Sequence, residues 1–527
     1  MVESVLSKGV VSDPIRNSME DYLKIACDNS PVIDSTIATF GKSQLSDYAE
    51  NLFKASRLSN VYQQGWDFLE ILYETSRSLI LEENAKKLTE DIEKMPFVLT
   101  ANHHGVDYFA QSVQSSIIFA LMQKKHDADR QYALVLSCGN VPLDNLTYPQ
   151  GILLYDLNGE NAADIPKKIP LFSNKKRRCT VSASPGYDLS MISRTAGMTR
   201  KMEDKGMITQ ETSQNLLMIL KNDYADTRVI DNPSYACQSV VVNRKLWERF
   251  FKTPKSTPTL ISFELEKITA MLVKKDIFNR DSLLWNILFA DDIRNAVIKE
   301  LNGNPVCWTS GDHAEKDLSL ASGTHFFWGI DAKGRKYPLS LKDNGPNRCI
   351  LNGVDNNGKV FDIPFTLKSL INHLDASLLL PSLFTCFLTI FMARGINCIG
   401  GYYQAEYLPA MQKGLVRAFE KVKWHDAAIS VNALITNSYL SGMQTVMIEK
   451  KNKRLVPAGP LEIITAGGLS DDDLQTILKM NVRDAHLASL FETLPDVASG
   501  ALTGNVNWKN ELASLCWECL LEKVIVK

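Results

Sequence analysis

The feature that most constrains this chain is the stretch from Pro96 to Leu121, PFVLTANHHGVDYFAQSVQSSIIFAL. A short apolar run, Phe97–Ala101, stops at Asn102-His103-His104-Gly105-Val106-Asp107, and a long apolar-periodic segment follows. A buried strand, a tight polar turn and a helix give that pattern. In open α/β sheets, ligands bind outside the carboxyl ends of strands, at junctions of this kind. Two imidazoles and a carboxylate within five residues make the turn a candidate reaction centre.

The same alternation continues. Strand candidates are Phe97–Ala101, Tyr132–Ser137, Gly151–Tyr155, Ser239–Val242, Thr259–Phe263 and Pro305–Trp308. Helix candidates are Tyr108–Gln123, Ser213–Lys221, Glu264–Lys274 and Ser282–Leu301. Strands alternating with helices predict an α/β fold, with a doubly wound, mostly parallel, Rossmann-like sheet. Residues 96–415 form this expected core, with a small β-hairpin insertion at about 311–365. There Asp331-Ala-Lys-Gly334 and Asp355-Asn-Asn-Gly358 supply turns that tolerate positive φ. Residues 1–95 read as a helical N-terminal region, with helices over Ser43–Leu58 and Trp66–Lys94. Residues 416–527 read as a smaller α+β C-terminal part. It carries a hairpin, Thr445–Glu449 with Arg454–Pro457, and Ser470 as the N-cap of an acidic first turn.

Charge excludes some partners. There are 58 Lys and Arg against 60 Asp and Glu, a net charge of −2. No global basic field exists to hold nucleic acid or an anionic membrane. The one dense basic cluster, Lys175-Lys176-Arg177-Arg178, reads as a solvated loop or as a phosphate or carboxylate contact. The N-terminus lacks the basic region and apolar core of a signal peptide. The apolar run Ser377–Ala393 contains Pro381 and is shorter than the roughly 20 residues a spanning helix needs. It is expected to be buried core, and the protein cytoplasmic, with a small-molecule substrate as partner and a homo-oligomer left open. The ten cysteines are scattered, as suits free thiols in a reducing compartment. Cys516 and Cys519 form a CxxC without a second ligand pair. They read as inert helix cysteines, with metal binding or redox chemistry as alternatives.

Four constellations could carry chemistry. In the first, His103 or His104 is a general base, with Asp107 or Asp312 as its orienting carboxylate and Asn102 beside them as a substrate contact. Metal ligation and a structural capped turn are the competing readings. No other His, Asp or Glu pair shows metal spacing, so no metal is expected. The second is Thr309-Ser310-Gly311-Asp312-His313, another strand end followed by a polar turn. The third is Gly400-Gly401-Tyr402-Tyr403-Gln404-Ala405-Glu406-Tyr407, where a Gly-Gly turn admits close backbone approach, Gln404 and Tyr407 offer hydrogen bonds, and Gln404 is expected to close a crevice lined by the other strand-end turns. The fourth is the loop Cys138–Gly151, in which Asn140, Tyr148 and Gln150 are candidate substrate contacts. Each of the last three also reads as an ordinary turn or surface loop. Neither GxGxxG nor GxxxxGK[ST] occurs, so the cofactor is unknown from sequence.

The order of these segments resembles the bacillithiol synthase family, whose members add cysteine to a glucosaminyl-malate acceptor. The early strand, turn and helix LTANHHGVDYFAQSVQSSIIFAL occupies the equivalent place. So do the hairpin region, the short helix, the Leu-rich stretch with proline and the Gly-Gly turn in FTLKSLINHLDASLLLPSLFTCFLTIFMARGINCIGGYYQAEYLPAMQKGL. Gly400, Gly401 and Tyr407 match the family's Gly-Gly-x-x-Glu-x-x-Tyr turn, and Gln404 stands in place of its acid. The resemblance covers about 96–415. It implies a Rossmann-like enzyme, a ligase or transferase adding an amino acid or thiol to a small polar metabolite. A second likeness competes. FVLTANHHGVD is similar to the Asn-His-x4-Asp motif of glycerolipid acyltransferases, with three residues instead of four between His103 and Asp107. It implies acyl transfer with His103 activating a hydroxyl. A third expectation is a non-catalytic binding or assembly protein on an enzyme fold.

Overall fold

A computed structural model describes residues 19–526, except 56–61, 64, 160, 254, 310–322, 344–348, 451–452 and 503–504. At its centre is a five-stranded sheet of β1 (Phe97–Leu99), β2 (Tyr132–Ser137), β3 (Thr259–Glu264), β4 (Asn397–Gly401) and β5 (Tyr439–Ser441). All neighbours are parallel and the order is β5-β4-β1-β2-β3. The register pairs Val98 with Cys398, Leu99 with Val135, and Ser137 with Glu264. The strand sequences are almost continuously apolar because both faces are covered, as parallel sheets require.

Alternate strand residues enter two separate cores. Leu99, Ala133, Val135 and Ile399 pack with Val113, Ile117 and Leu121 of helix Ala110–His126. Val98, Leu134, Leu136, Ile261 and Phe263 pack on the other face with helices Trp66–Arg77, Glu82–Lys94 and Leu265–Asp276. The run 377–393 joins this second core as strand Leu379–Pro381 and helix Leu383–Phe387, with the residues after it fully buried. Among the described residues no helix is long and apolar enough to cross a membrane. Strand Phe327–Ile330 pairs with Lys336–Pro338, and Cys349–Val354 with Val360–Pro364, so both Asp…Gly turns close hairpins. The hairpin of Val446–Lys450 with Arg454–Pro457 also forms.

Three strand expectations are corrected. Ser239–Val242, a β-branched run, lies inside helix Tyr235–Arg249. The Ser234 hydroxyl caps that helix through the Cys237 N–H, and burial of Ser239, Val242 and Leu246 at helical spacing outweighs local β propensity. Pro305–Trp308 is a turn: Cys307 N–H donates to Asn304 O, Val306 has φ +57°, and only an isolated bridge joins Trp308 to Asn302. The third forms a strand, Gly151–Leu154, but pairs antiparallel with Lys167–Pro170 outside the parallel sheet. The single helix expected over Ser282–Leu301 is two, Leu283–Phe289 and Asp291–Glu300, separated by extended Ala290.

Candidate functional site

The turn after β1 is held open by the helix that follows it in space. Gly105 has φ +126°, and a Cβ there would stand 2.9 Å from Pro149 Cβ. The Tyr235 hydroxyl takes the Val106 N–H at 3.0 Å and donates to Pro149 O at 2.8 Å. Asn243 takes the Asp107 N–H at 3.0 Å and donates to Gly105 O at 2.8 Å.

Asp107 is committed to this turn. Its carboxylate accepts from Ser112 Oγ at 2.6 Å, the Phe109 N–H at 3.0 Å and Asn102 Nδ2 at 3.2 Å. Burial nevertheless pushes its pKa up to about 6. The carboxylate hydrogen-bonds to neither imidazole, so the expected pairing of a histidine with Asp107 does not form. His104 is a core residue, with Nε2 3.1 Å from Ala236 O and burial lowering its pKa to about 4. His103 is different. It is only partly buried, and Nδ1 lies 3.1 Å from Thr147 Oγ1. The surrounding protein pushes its pKa down to about 4, with the Lys336 charge acting in the same direction.

His103 pairs across the ladder with Cys138, so the ends of β1 and β2 run side by side. At the end of β3 and just past it, two carboxylates lie beside Cys138 and Gly139. Glu266 is fully buried and accepts from the Gly139 N–H at 2.7 Å, the Asn140 N–H at 3.1 Å and the Cys138 thiol at 3.2 Å. Glu264, the last residue of β3, is 8% exposed. A Cβ on Gly139 would stand 2.8 Å from Glu264 Cγ and would collide with Ser182 Oγ, so glycine there lets the chain pass between them. Burial raises both carboxyls, Glu264 to about 7, with the Glu266 charge adding to the push. Three donors to Glu266 work against that push and favour its ionised form. Burial and the Glu266 charge hold the Cys138 thiol well above its usual range.

Lys336, on the hairpin strand Lys336–Pro338, brings a cation to the same place. Its Nζ donates to Asn140 O at 3.0 Å and lies 4.5 Å over the Trp328 ring. Burial lowers its pKa, against the pull of Cys138 and Glu266. Asn140 is buried, and its Oδ1 has no hydrogen-bond partner among the described residues. The same is true of Asn102 Oδ1. Unpaired buried acceptors of this kind cost free energy and call for a partner. A cavity of about 30 Å³ lies beside His103, lined by Asn102, Ser137 and Ser262 among others.

Between β1 and β4 the strand order reverses, the usual place for a ligand crevice. Gln404 fills it. Thr100 Oγ1 donates to Gln404 Oε1 at 2.8 Å, and Gln404 Nε2 donates to Cys398 O at 3.2 Å. A Cβ on Gly400 would overlap the Gln404 side chain, so this glycine makes room for the plug. Gly401 opens helix Tyr402–Lys421. Tyr407 packs on Phe387 at 5.9 Å between ring centres. Burial, together with the Cys138, Cys398 and Cys386 thiols, pushes its phenol well above the usual range.

The remaining expected residues separate. Tyr148 has φ +53° and its ring supports Lys168 at 4.9 Å. Gln150 is buried and ties Phe172 O (3.0 Å) to Asn174 Oδ1 (3.2 Å), a structural role. Asp312 and His313 lie outside the described residues. The structure thus gathers His103, Cys138, Asn140, Glu264, Glu266 and Lys336 at the ends of β1, β2 and β3. Glu264, Glu266, Cys138 and Lys336 were not singled out from sequence. An acidic pair directly after an apolar strand, in TLISFELEK, was the available signal. Among the described residues no group of three or more His, Cys, Asp or Glu could hold a metal ion. Comparison with family models, with curated proteins and with solved structures finds no match to this chain.

Proposed function

We propose that this protein is an enzyme that joins or modifies a small polar metabolite, as a ligase or transferase, on a Rossmann-like, doubly wound core. The observation that carries the reading is the buried Glu264–Glu266 pair. It faces Cys138, Asn140 and Lys336 where three adjacent parallel strands end. Two carboxyls whose surroundings push them to different proton affinities give one group able to donate a proton near neutral pH and one held as the anion. Glu264 is the donor in this reading. Glu266 orients Cys138 and the Gly139–Asn140 backbone, and neutral His103 lines the approach. Lys336 supplies positive charge for an anionic group, and the free Oδ1 of Asn140 accepts a substrate hydrogen bond. The strand order β5-β4-β1-β2-β3 supports the Rossmann-like arrangement, because it runs outward in both directions from β1.

The test is a thermal-shift screen of amino acids, thiols, sugars and nucleotides against the wild type, His103→Ala and Glu264→Gln. The expected result is at least one stabilising ligand whose shift shrinks in both variants. If no ligand stabilises the wild type, or if both variants respond as it does, the site assignment fails.

A further inference from the structure

A second cavity, of about 250 Å³, lies where the loop of residues 174–179 meets the hairpin turn of residues 333–335. Its walls carry five cations: Lys175, Arg177, Arg178, Lys333 and Arg335. Two are already engaged. Arg335 Nε donates to Asp331 Oδ2 at 2.8 Å, and Arg177 lies 3.9 Å from Asp144. Among the described residues, Lys175, Arg178 and Lys333 have no carboxylate within ion-pair distance, and all three are exposed.

Two segments far apart in sequence are therefore held with their positive charges facing each other. That arrangement opposes folding through like-charge repulsion. The backbone enforces it. The Thr180 N–H and hydroxyl both donate to Gly334 O, at 2.8 and 3.2 Å. Gly334 has φ +74°, and a Cβ there would collide with the Cys179 sulfur. The concave shape and the local excess of cations on a chain of net charge −2 point to a compact anion instead of an extended polyanion. Arg guanidinium forks paired with lysines suit phosphoryl oxygens. The strand leaving this turn begins with Lys336, whose amino group reaches Asn140 in the site described above.

We propose that this pocket binds the phosphoryl groups of a small phosphorylated metabolite. The assignment stands on the pocket itself and holds whether or not the neighbouring carboxylates are catalytic.

The probe is inorganic tripolyphosphate, titrated calorimetrically into the full chain at low ionic strength. Expected is one-to-one binding that weakens with added salt. The double variant Arg178→Ala/Lys333→Ala should lose about tenfold or more in affinity, the scale of a lost charge-assisted contact. Both side chains are exposed, so the variant should fold, and its unchanged circular dichroism would verify that. Lys176→Ala removes an exposed charge from the same run that does not line the cavity, and should bind as the wild type does. Three results would overturn the proposal. One is no binding of tripolyphosphate. Another is an equal loss in Lys176→Ala, which would mean diffuse charge and no pocket. The third is citrate or a single-stranded RNA binding more tightly than tripolyphosphate and depending on the same two residues, which would reassign the site to carboxylates or to polynucleotide.

Discussion

Single residues decide this molecule's chemistry through what surrounds them. Asp107, Glu264, Glu462 and Glu492 are all carboxyls raised by burial, yet only Glu264 sits with a second carboxylate at the strand ends. Glu492 is the cleanest of them for a titration experiment. It accepts from the Gln111 N–H at 2.8 Å, from Gln444 Nε2 at 2.7 Å and from the Tyr155 hydroxyl. Burial raises its pKa from 4.5 to about 7, with the Lys509 charge pulling the other way. The folded chain therefore holds a proton between those two pH values that the unfolded chain has released. Stability from this group is present at low pH and is lost as pH rises through the folded pKa. His103, His104, His325 and His486, lowered to about 4 by their surroundings, give the opposite slope, so only a difference against a variant isolates Glu492. Urea unfolding of wild type and Glu492→Gln should show the variant gaining on the wild type from about pH 4.5 to 7, by on the order of 3 kcal/mol, and no further above that. A pH-independent difference would place the proton elsewhere.

At the scale of elements, legibility follows the strength of the local pattern. β1, β2 and β3 were readable because each is a short apolar run closed by a turn or helix start, and both Asp…Gly hairpins were readable from their turn chemistry. β5 was not proposed, since Tyr439–Ser441 is three residues long and carries no alternation. Ser239–Val242 misled because tertiary burial on a helix overrode β-branching. The candidate site was legible in part. The strand-end rule pointed to the edge of the sheet where His103, Cys138, Glu264 and Glu266 gather. However, it favoured imidazoles over the Glu264–Glu266 pair, because sequence gives no measure of which carboxylates will be buried. Gln404 reads from sequence both as a ligand contact and as the residue closing the crevice, and the structure adds how Thr100 and Gly400 hold its side chain. The N-cap at Ser470 is a case where local chemistry sufficed. Its hydroxyl accepts the Asp473 N–H at 3.3 Å, and Asp473 accepts the Ser470 N–H at 2.8 Å, a complete capping box. Asp471, Asp472 and Asp473 also complement the helix dipole. Ser470→Ala should cost about 1 kcal/mol. The readout is a lower urea midpoint with an unchanged slope; an unchanged midpoint would show that the acidic turn alone suffices.

At the scale of the whole molecule, one buried cation ties the N-terminal helices to the sheet. Arg394 precedes β4 and is 2% exposed. Its guanidinium donates to Asp276 at 2.7 and 3.0 Å, at the end of helix Leu265–Asp276. It also donates to Asp67 at 2.8 Å in the first turn of helix Trp66–Arg77, and to Thr389 O at 2.9 Å. Three segments thus share a single charge network, beside the exposed Lys275–Glu70 ion pair that also joins the two helices. Such a network does not by itself imply high stability, because desolvating three charges offsets much of their attraction. Removing its centre is another matter. Arg394→Met fills similar space but leaves Asp276 buried and Asp67 half-buried without their counter-charge, which should cost about 3–5 kcal/mol. The diagnostic is a cycle in which Asp67→Asn and Asp276→Asn are added to Arg394→Met. If charge is the cause, the triple variant regains much of the stability lost by the single one, as measured by urea midpoints. If the triple variant is less stable than Arg394→Met alone, the network acts through hydrogen-bond geometry, and its role as an electrostatic clasp between the N-terminal helices and the sheet would have to be abandoned.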